Sequence, residues 1–205
     1  MAESAEELHA RVVAQVGEEG RLPMSPVHEW EMFPWELVDG QLVPKVVRPP
    51  LAEEPRRAGA GGVECTLCDG SGEAVRIWES WQFHLTRPKQ PTGMPLVLWL
   101  NLNDHADFTE LNDEQAAEWG HLSVVLARIM SNLPGIGRVH VNRWGDGAEH
   151  MHAWFIARPE RIPGIVGSLA MEWDEMLPPG PEDVWLEDCR LVATKLANHA
   201  GHALV

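Results

Sequence analysis

The stretch His150-Met151-His152-Ala153-Trp154-Phe155-Ile156-Ala157-Arg158 carries two histidines, spaced by one residue, inside an apolar run. In an extended strand successive side chains alternate faces. His150, His152, Trp154, Ile156 and Arg158 then share one side, and Met151, Ala153, Phe155 and Ala157 share the other. Two imidazoles and an indole line one surface. Such neighbours on a sheet face point to binding or reaction, because each ring nitrogen needs a partner and each ring titrates near neutrality.

Cys65-Thr66-Leu67-Cys68 is followed by Asp69-Gly70-Ser71-Gly72, a turn sequence able to fold two thiolates around one ion. Taken alone, a C-x-x-C also fits two ordinary cysteines or a redox dithiol. His105 sits just past the apolar run 95–102. Cys65, Cys68, His105 and His150 make a set whose number and softness suit tetrahedral zinc.

From Cys65 to Arg158 the chain resembles the histidine-triad (HIT-like) superfamily, especially the zinc-containing branch that includes galactose-1-phosphate uridylyltransferase. The matching features are a C-x-x-C, a hairpin, a strand ending near a histidine and a long helix. A strand with Asn142 and a glycine-containing turn into His-x-His completes them. The resemblance implies an α+β fold, an antiparallel sheet with a long helix on one face. It implies Cys65, Cys68, His105 and His150 as zinc ligands, and His152 as a nucleophile that takes a nucleotidyl group. Asn142, Trp154 and Arg158 are the candidate substrate contacts. Where the family has a third histidine, or glutamine in the transferases, this chain has Trp154, with one N–H donor and a large apolar face.

The chemistry can be stated from the residues. A neutral imidazole attacks phosphorus to give a phosphoramidate, splitting one difficult displacement into two easier ones. Its other ring nitrogen must donate to a fixed acceptor for the attacking nitrogen to keep its lone pair. With His150 on a metal, His152 is the free imidazole of this segment, and the metal orders the scaffold without touching substrate.

Composition narrows the partners. The 205 residues carry 31 Asp and Glu against 16 Lys and Arg, a net charge of -15. That balance disfavours broad binding to nucleic acid or to an anionic membrane, so a small phosphate-containing substrate would need a local cation. Arg76, Arg87, Lys89, Arg138, Arg143 and Arg158 are the candidates, and the first three read as solvated hairpin positions. Asp146 and Glu149 read as hairpin-tip charges facing water. Cys189 has no partner, no run is long and apolar enough for a membrane, and the N-terminus is acidic. These features predict a cytoplasmic protein without disulfides. A homodimer is left open.

Three zones must position these groups. Residues 1–62 read as a helix over 2–17, with Leu8, Val12, Val13 and Val16 as its apolar positions, then an extended arm over 22–50. Trp30, Phe33, Trp35, Leu37 and Val43 should lay that arm on the body, and 53–62 reads as a flexible connector. Residues 63–160 form the core, with strand patterns over 73–87 and 95–102 and a helix started by Asn112 and Gln115. An antiparallel pair over 138–144 and 150–158 closes it. Residues 161–205 read as helices over 165–177 and 183–199 packing on the core, split by Pro178-Pro179-Gly180-Pro181. Trp78, Trp81, Trp99 and Trp144 could sandwich a flat ligand or simply pack, and His84, His121 and His140 read as structural or exposed.

The resemblance therefore implies a hydrolase or transferase acting on a nucleotidyl or related phosphoryl group through His152. Two alternatives stay open: a degenerate relative that binds a ligand or partner without chemistry, and an enzyme for a non-nucleotide substrate.

Overall fold

The computed structural model describes residues 3–16, 19–24 and 33–205; Trp30 of the arm lies outside them. Helix α1 (Ala5–Gln15) begins where Ser4 and Glu7 exchange hydrogen bonds as a capping box. It buries Leu8 and leaves Val13 exposed. Leu22, at the start of the arm, packs on the body, but the apolar side chains over 35–50 stay largely exposed. Asp39 and Gly40 both adopt positive φ, 49° and 75°, as a two-residue turn between twisted strands requires. The chain therefore closes on itself, β1 (Trp35–Val38) pairing with β2 (Gln41–Pro44). Leu37 and Leu42 stay exposed, and Val47 is 92% exposed.

After the short helix α2 (Thr66–Asp69) come β3 (Val75–Glu79), β4 (Phe83–Arg87) and β5 (Leu96–Leu102), then the long helix α3 (Asp113–Ser131). The chain continues through β6 (Ile136–Asn142), β7 (His152–Pro159), α4 (Ala170–Met176), α5 (Glu182–Ala197) and β8 (His202–Ala203). The expected strand pattern over 73–87 is thus two strands folded back as a hairpin. The sheet runs β6-β7-β5-β4-β3-β8, antiparallel at every pairing. Asn112 and Gln115 form the expected capping box of α3.

Cross-strand partners share a face, so the register sorts the sheet into two surfaces. Phe155 pairs with Leu98 and with Val141, and Ala153 with Leu100; this face is apolar. It packs on Leu122, Leu126 and Met130 of α3 and on Trp185, Val192 and Leu196 of α5 as the main core. The other face carries His152 opposite Asn101, and Trp154 opposite both Trp99 and Asn142. A smaller cluster covers one end of it, where Val97 and Ile156 meet Met94, Ile165, Ala170 and Leu177, with Val12 of α1 against them. The helices after the core thus separate, α5 joining α3 and α4 joining α1 on the opposite side. The end holding His152, Asn101 and Trp99 stays open as a cleft.

Segment 53–62 is not a free connector. Ala58 makes a parallel bridge to Ala148, its N–H donating to Gly147 O at 2.9 Å and its carbonyl accepting from Glu149 N–H at 2.8 Å. Gly59, Gly61 and Gly62 all take positive φ, so this glycine run supplies a folded turn.

Candidate metal centre and cleft

Cys65 sits just before the first turn of α2 and Cys68 within it, so a spacing of three brings both thiols to one side. Gly70, at φ 70°, ends that turn. His105 comes from the segment after β5, and His150 from the residues leading into β7. The ligand atoms of Cys65, Cys68, His105 and His150 all lie within 4.8 Å of one another, the arrangement the sequence implied. Cys65 Sγ and Cys68 Sγ each stand 3.4 Å from His150 Nδ1, and Cys68 Sγ stands 3.4 Å from His105 Nδ1. A tetrahedral ion bonded to sulfur at about 2.3 Å and nitrogen at about 2.0 Å holds such ligands roughly 3.5 Å apart.

The second nitrogen of His150 supports this donor set. His150 is 1% exposed, and its Nε2–H donates to Leu102 O at 2.9 Å. That bond fixes the tautomer and turns an unprotonated Nδ1 toward the sulfurs, as a metal-bound imidazole requires. Burial lowers the His150 pKa, which also keeps the ring neutral. Burial and the neighbouring Cys65 push the Cys68 thiol up to about 11; a bound cation reverses that preference by holding the thiolate. The residues fit a metal ion. The turn at 59–62 packs over the cluster, and a Cβ on Gly59 would stand 3.2 Å from Cys65 Sγ.

Arg57, which the sequence reading did not single out, anchors this turn. Its guanidinium pairs with Asp107 at 2.7 Å and Glu149 at 3.3 Å, and it donates to Gly145 O at 3.1 Å. Arg143 also pairs with Asp107. The two guanidinium groups and the Phe108 N–H hold the Asp107 carboxyl below its usual range against the opposing effect of burial. Glu149 is therefore no free hairpin-tip charge, because its other oxygen accepts from Gly61 N–H at 2.9 Å. Asp146 is exposed, as expected. The second arginine of an Arg56-Arg57 pair before a glycine run gave no signal of this network.

His152 is two residues beyond His150 and differently held. Its Nδ1–H donates to His150 O at 2.7 Å, which leaves Nε2 unprotonated. His152 lies on the floor of a cleft of about 690 Å³ with Thr86, Trp99 and Asn101. One wall comes from Thr66, Leu67 and residues 72–74, and the other from residues 88–90. Asn101 is buried and donates to Thr86 Oγ1 at 3.0 Å and to Trp99 O at 3.1 Å.

The remaining expected contacts scatter. Trp154 is not part of the cleft lining; it packs edge-on between Trp99 and Trp144, with ring centroids 5.0 Å and 5.6 Å away. Asn142 lies beside it across the strand pair, its Nδ2 buried without a hydrogen-bond partner. Arg158 is six residues beyond His152 on β7, roughly 20 Å along a strand, and donates to Pro159 O. Trp78 packs in the main core with its N–H on Ala200 O, and Trp81 is fully in solvent. Lys89 is exposed, as the solvated-hairpin reading expected, at the rim of the cleft. His84 is structural, as expected: its Nδ1–H donates to Asn103 Oδ1 at 2.8 Å, and burial drives its pKa down to about 4. His140 is half-buried on β6, with Nε2 unpartnered.

No family model and no curated protein matches the chain. Among solved structures it is similar to a zinc-bound histidine triad family protein from Mycobacterium smegmatis, at 20% identity over 67% of this chain and 94% of that one, TM-score 0.44. It is also similar to a histidine triad protein from Marinobacter aquaeolei, at 18% identity over 63% and 93%, TM-score 0.49. A third is a hypothetical histidine triad nucleotide-binding protein from Sulfolobus tokodaii, at 15% identity over 65% and 93%, TM-score 0.48. Among the described residues no helix is long and apolar enough to cross a membrane.

Proposed function

We propose that this protein is a member of the zinc-containing HIT-like branch and a hydrolase or transferase for a nucleotidyl or related phosphoryl group, with His152 as its nucleophile. One observation carries the reading. The His152 Nδ1–H is committed to a backbone carbonyl at 2.7 Å, so the lone pair lies on Nε2 in a residue that lines a cleft. In the first step Nε2 bonds to phosphorus as the bond to the leaving oxygen breaks, that oxygen keeping the electron pair. In the second, water or an acceptor hydroxyl bonds to phosphorus and releases its proton to solvent, and the N–P pair returns to Nε2. Trp99 offers a flat apolar surface to a base, and Asn101 and Thr86 line the same floor.

Cys65, Cys68, His105 and His150 would hold zinc. With four protein ligands the ion would be closed to substrate and would fasten α2 to the segment after β5 and to the approach to β7. All three cysteines are free thiols, which suits the reducing cytoplasm we assign to the protein. Its partner would be a small phosphate-containing molecule.

A second reading, a binder without phosphoryl chemistry, is favoured by Trp154, whose ring is engaged with two other indoles and supplies the cleft with no donor. A panel of nucleoside phosphoramidates, dinucleotides and sugar nucleotides separates the two. The leading reading expects turnover of at least one compound, lost in His152→Ala. Binding without turnover of any of them would favour the binder.

A further inference from the structure

In a chain of net charge -15 several arginines near the sheet are neutralised by carboxylates. Arg57 and Arg143 are held by Asp107, Arg76 by Glu79, and Arg161 by Glu6 and Glu160. Arg138 and Arg158 differ, since neither pairs with a carboxylate among the described residues. They are also direct cross-strand partners, Arg138 on the edge strand β6 and Arg158 on β7. Two like charges thus sit opposite each other on one face, an arrangement that costs stability. The register shift at Gly137 marks the end of the ladder where both are anchored. Arg138 Nη1 donates to Gly137 O at 2.7 Å and Arg158 Nη1 to Pro159 O at 3.2 Å, and a Cβ on Gly137 would stand 3.0 Å from that same Pro159 O.

His140 follows on the same face of β6, opposite Ile156 and so diagonal to Arg158. Its Nε2 is buried with no hydrogen-bond partner. Burial, and after it the Arg158 charge, hold its pKa below the usual imidazole range, so the ring lies in the field of that guanidinium. From this juxtaposition we propose that Arg138 and Arg158, flanked by the His140 ring, form an oxyanion site that takes a phosphate-like group with two or more free oxygens, either the free ion or the phosphoryl end of a small molecule. Each guanidinium spends one N–H on a carbonyl and keeps others for a forked contact with an oxyanion. A dianion between the two groups turns one repulsion into two attractions. The site is separate from the cleft, because Trp154 and Ile156 occupy the face between His152 and Arg158. It therefore does not depend on the chemistry proposed for His152.

The test is calorimetric titration of the full chain with inorganic phosphate and with methyl phosphate, at an ionic strength held constant with sodium chloride. Wild type should bind phosphate, Arg138→Gln and Arg158→Gln should each weaken it about tenfold, and His152→Ala should leave it unchanged. Phosphate should raise the melting temperature of wild type and not that of Arg138→Gln. Without phosphate Arg138→Gln should melt at or above the wild-type temperature, because the repulsion is gone, a result that a merely structural arginine would not give. Arg138 is exposed, so its replacement preserves the fold, and circular dichroism checks both variants. Methyl phosphate binding as phosphate does would assign a phosphoryl end group, and binding of phosphate alone would assign the free ion. No phosphate binding to wild type, binding that survives in both arginine variants, or binding lost in His152→Ala would overturn the site.

Discussion

His150 and His152 are two residues apart and end in opposite chemical states, because each gives a different ring nitrogen to a backbone carbonyl. His150 donates from Nε2 to Leu102 O, so its Nδ1 faces two sulfurs, those of buried Cys65 and exposed Cys68. His152 donates from Nδ1 to His150 O, so its Nε2 is free in a residue of an open cleft. In the proposed function, the carbonyl bond that each ring makes decides which imidazole would serve a metal and which a substrate. The comparison teaches that a histidine's role is set less by its place on a strand than by the acceptor available to its second nitrogen.

Exchanging the two residues' fates should give the largest effects. His152→Ala should lower turnover by roughly 10³-fold or more, with metal content and melting temperature unchanged. His150→Ala should remove the metal and lower the melting temperature by roughly 10 °C or more, because metal-binding energy is folding energy. Elemental analysis and thermal melts of both variants check this. A His152→Ala protein that loses metal, or a His150→Ala protein that keeps it, breaks the division of labour.

A smaller effect sharpens it. Asp107 joins Arg57, on the turn over the metal cluster, to Arg143, on the loop that leads to His150. Asp107→Asn keeps the shape and removes the charge, and should cost roughly 1–2 kcal/mol, seen as a melting temperature lower by a few degrees. Metal affinity should fall with it while the affinity of the cleft for adenosine holds.

The smallest expected effect is a pH dependence. Burial holds His84 at a folded pKa near 4 against the ordinary 6.5, so the unfolded chain takes up a proton that the folded chain refuses. Stability contributed by the neutral ring is complete above pH 6.5 and is lost as pH falls from 6.5 toward 4. His84→Gln should flatten the stability profile in that window. Denaturant melts at pH 7 and pH 5 with the same slope difference in variant and wild type would contradict this.

The sequence made local features legible. The capping box of α3, the C-x-x-C turn and the alternation of β7 each depend on residues within a few positions. The register then placed His152, Asn101, Trp99 and Trp154 on one face, as the alternation requires. What was not legible depends on distant partners. The apolar arm was expected on the body because burial of Trp35 and Leu37 is favourable, but its Asp-Gly turn closes a hairpin first. The glycine run at 59–62 read as a linker because its partners, Gly147 and Glu149, lie about ninety residues away. Likewise the separation of α4 from α5 follows from which sheet face each meets, and Arg158 proved remote from His152 because one strand face extends past the cleft.

The central claim is that His152 Nε2 forms the covalent intermediate, and intact-mass analysis of rapidly quenched protein mixed with a turned-over nucleotidyl substrate tests it most directly. The account predicts a single nucleotidyl adduct that is acid-labile, maps to His152, and is absent in His152→Ala although that variant keeps its metal. Turnover that survives in His152→Ala, or an adduct on another residue, would contradict it.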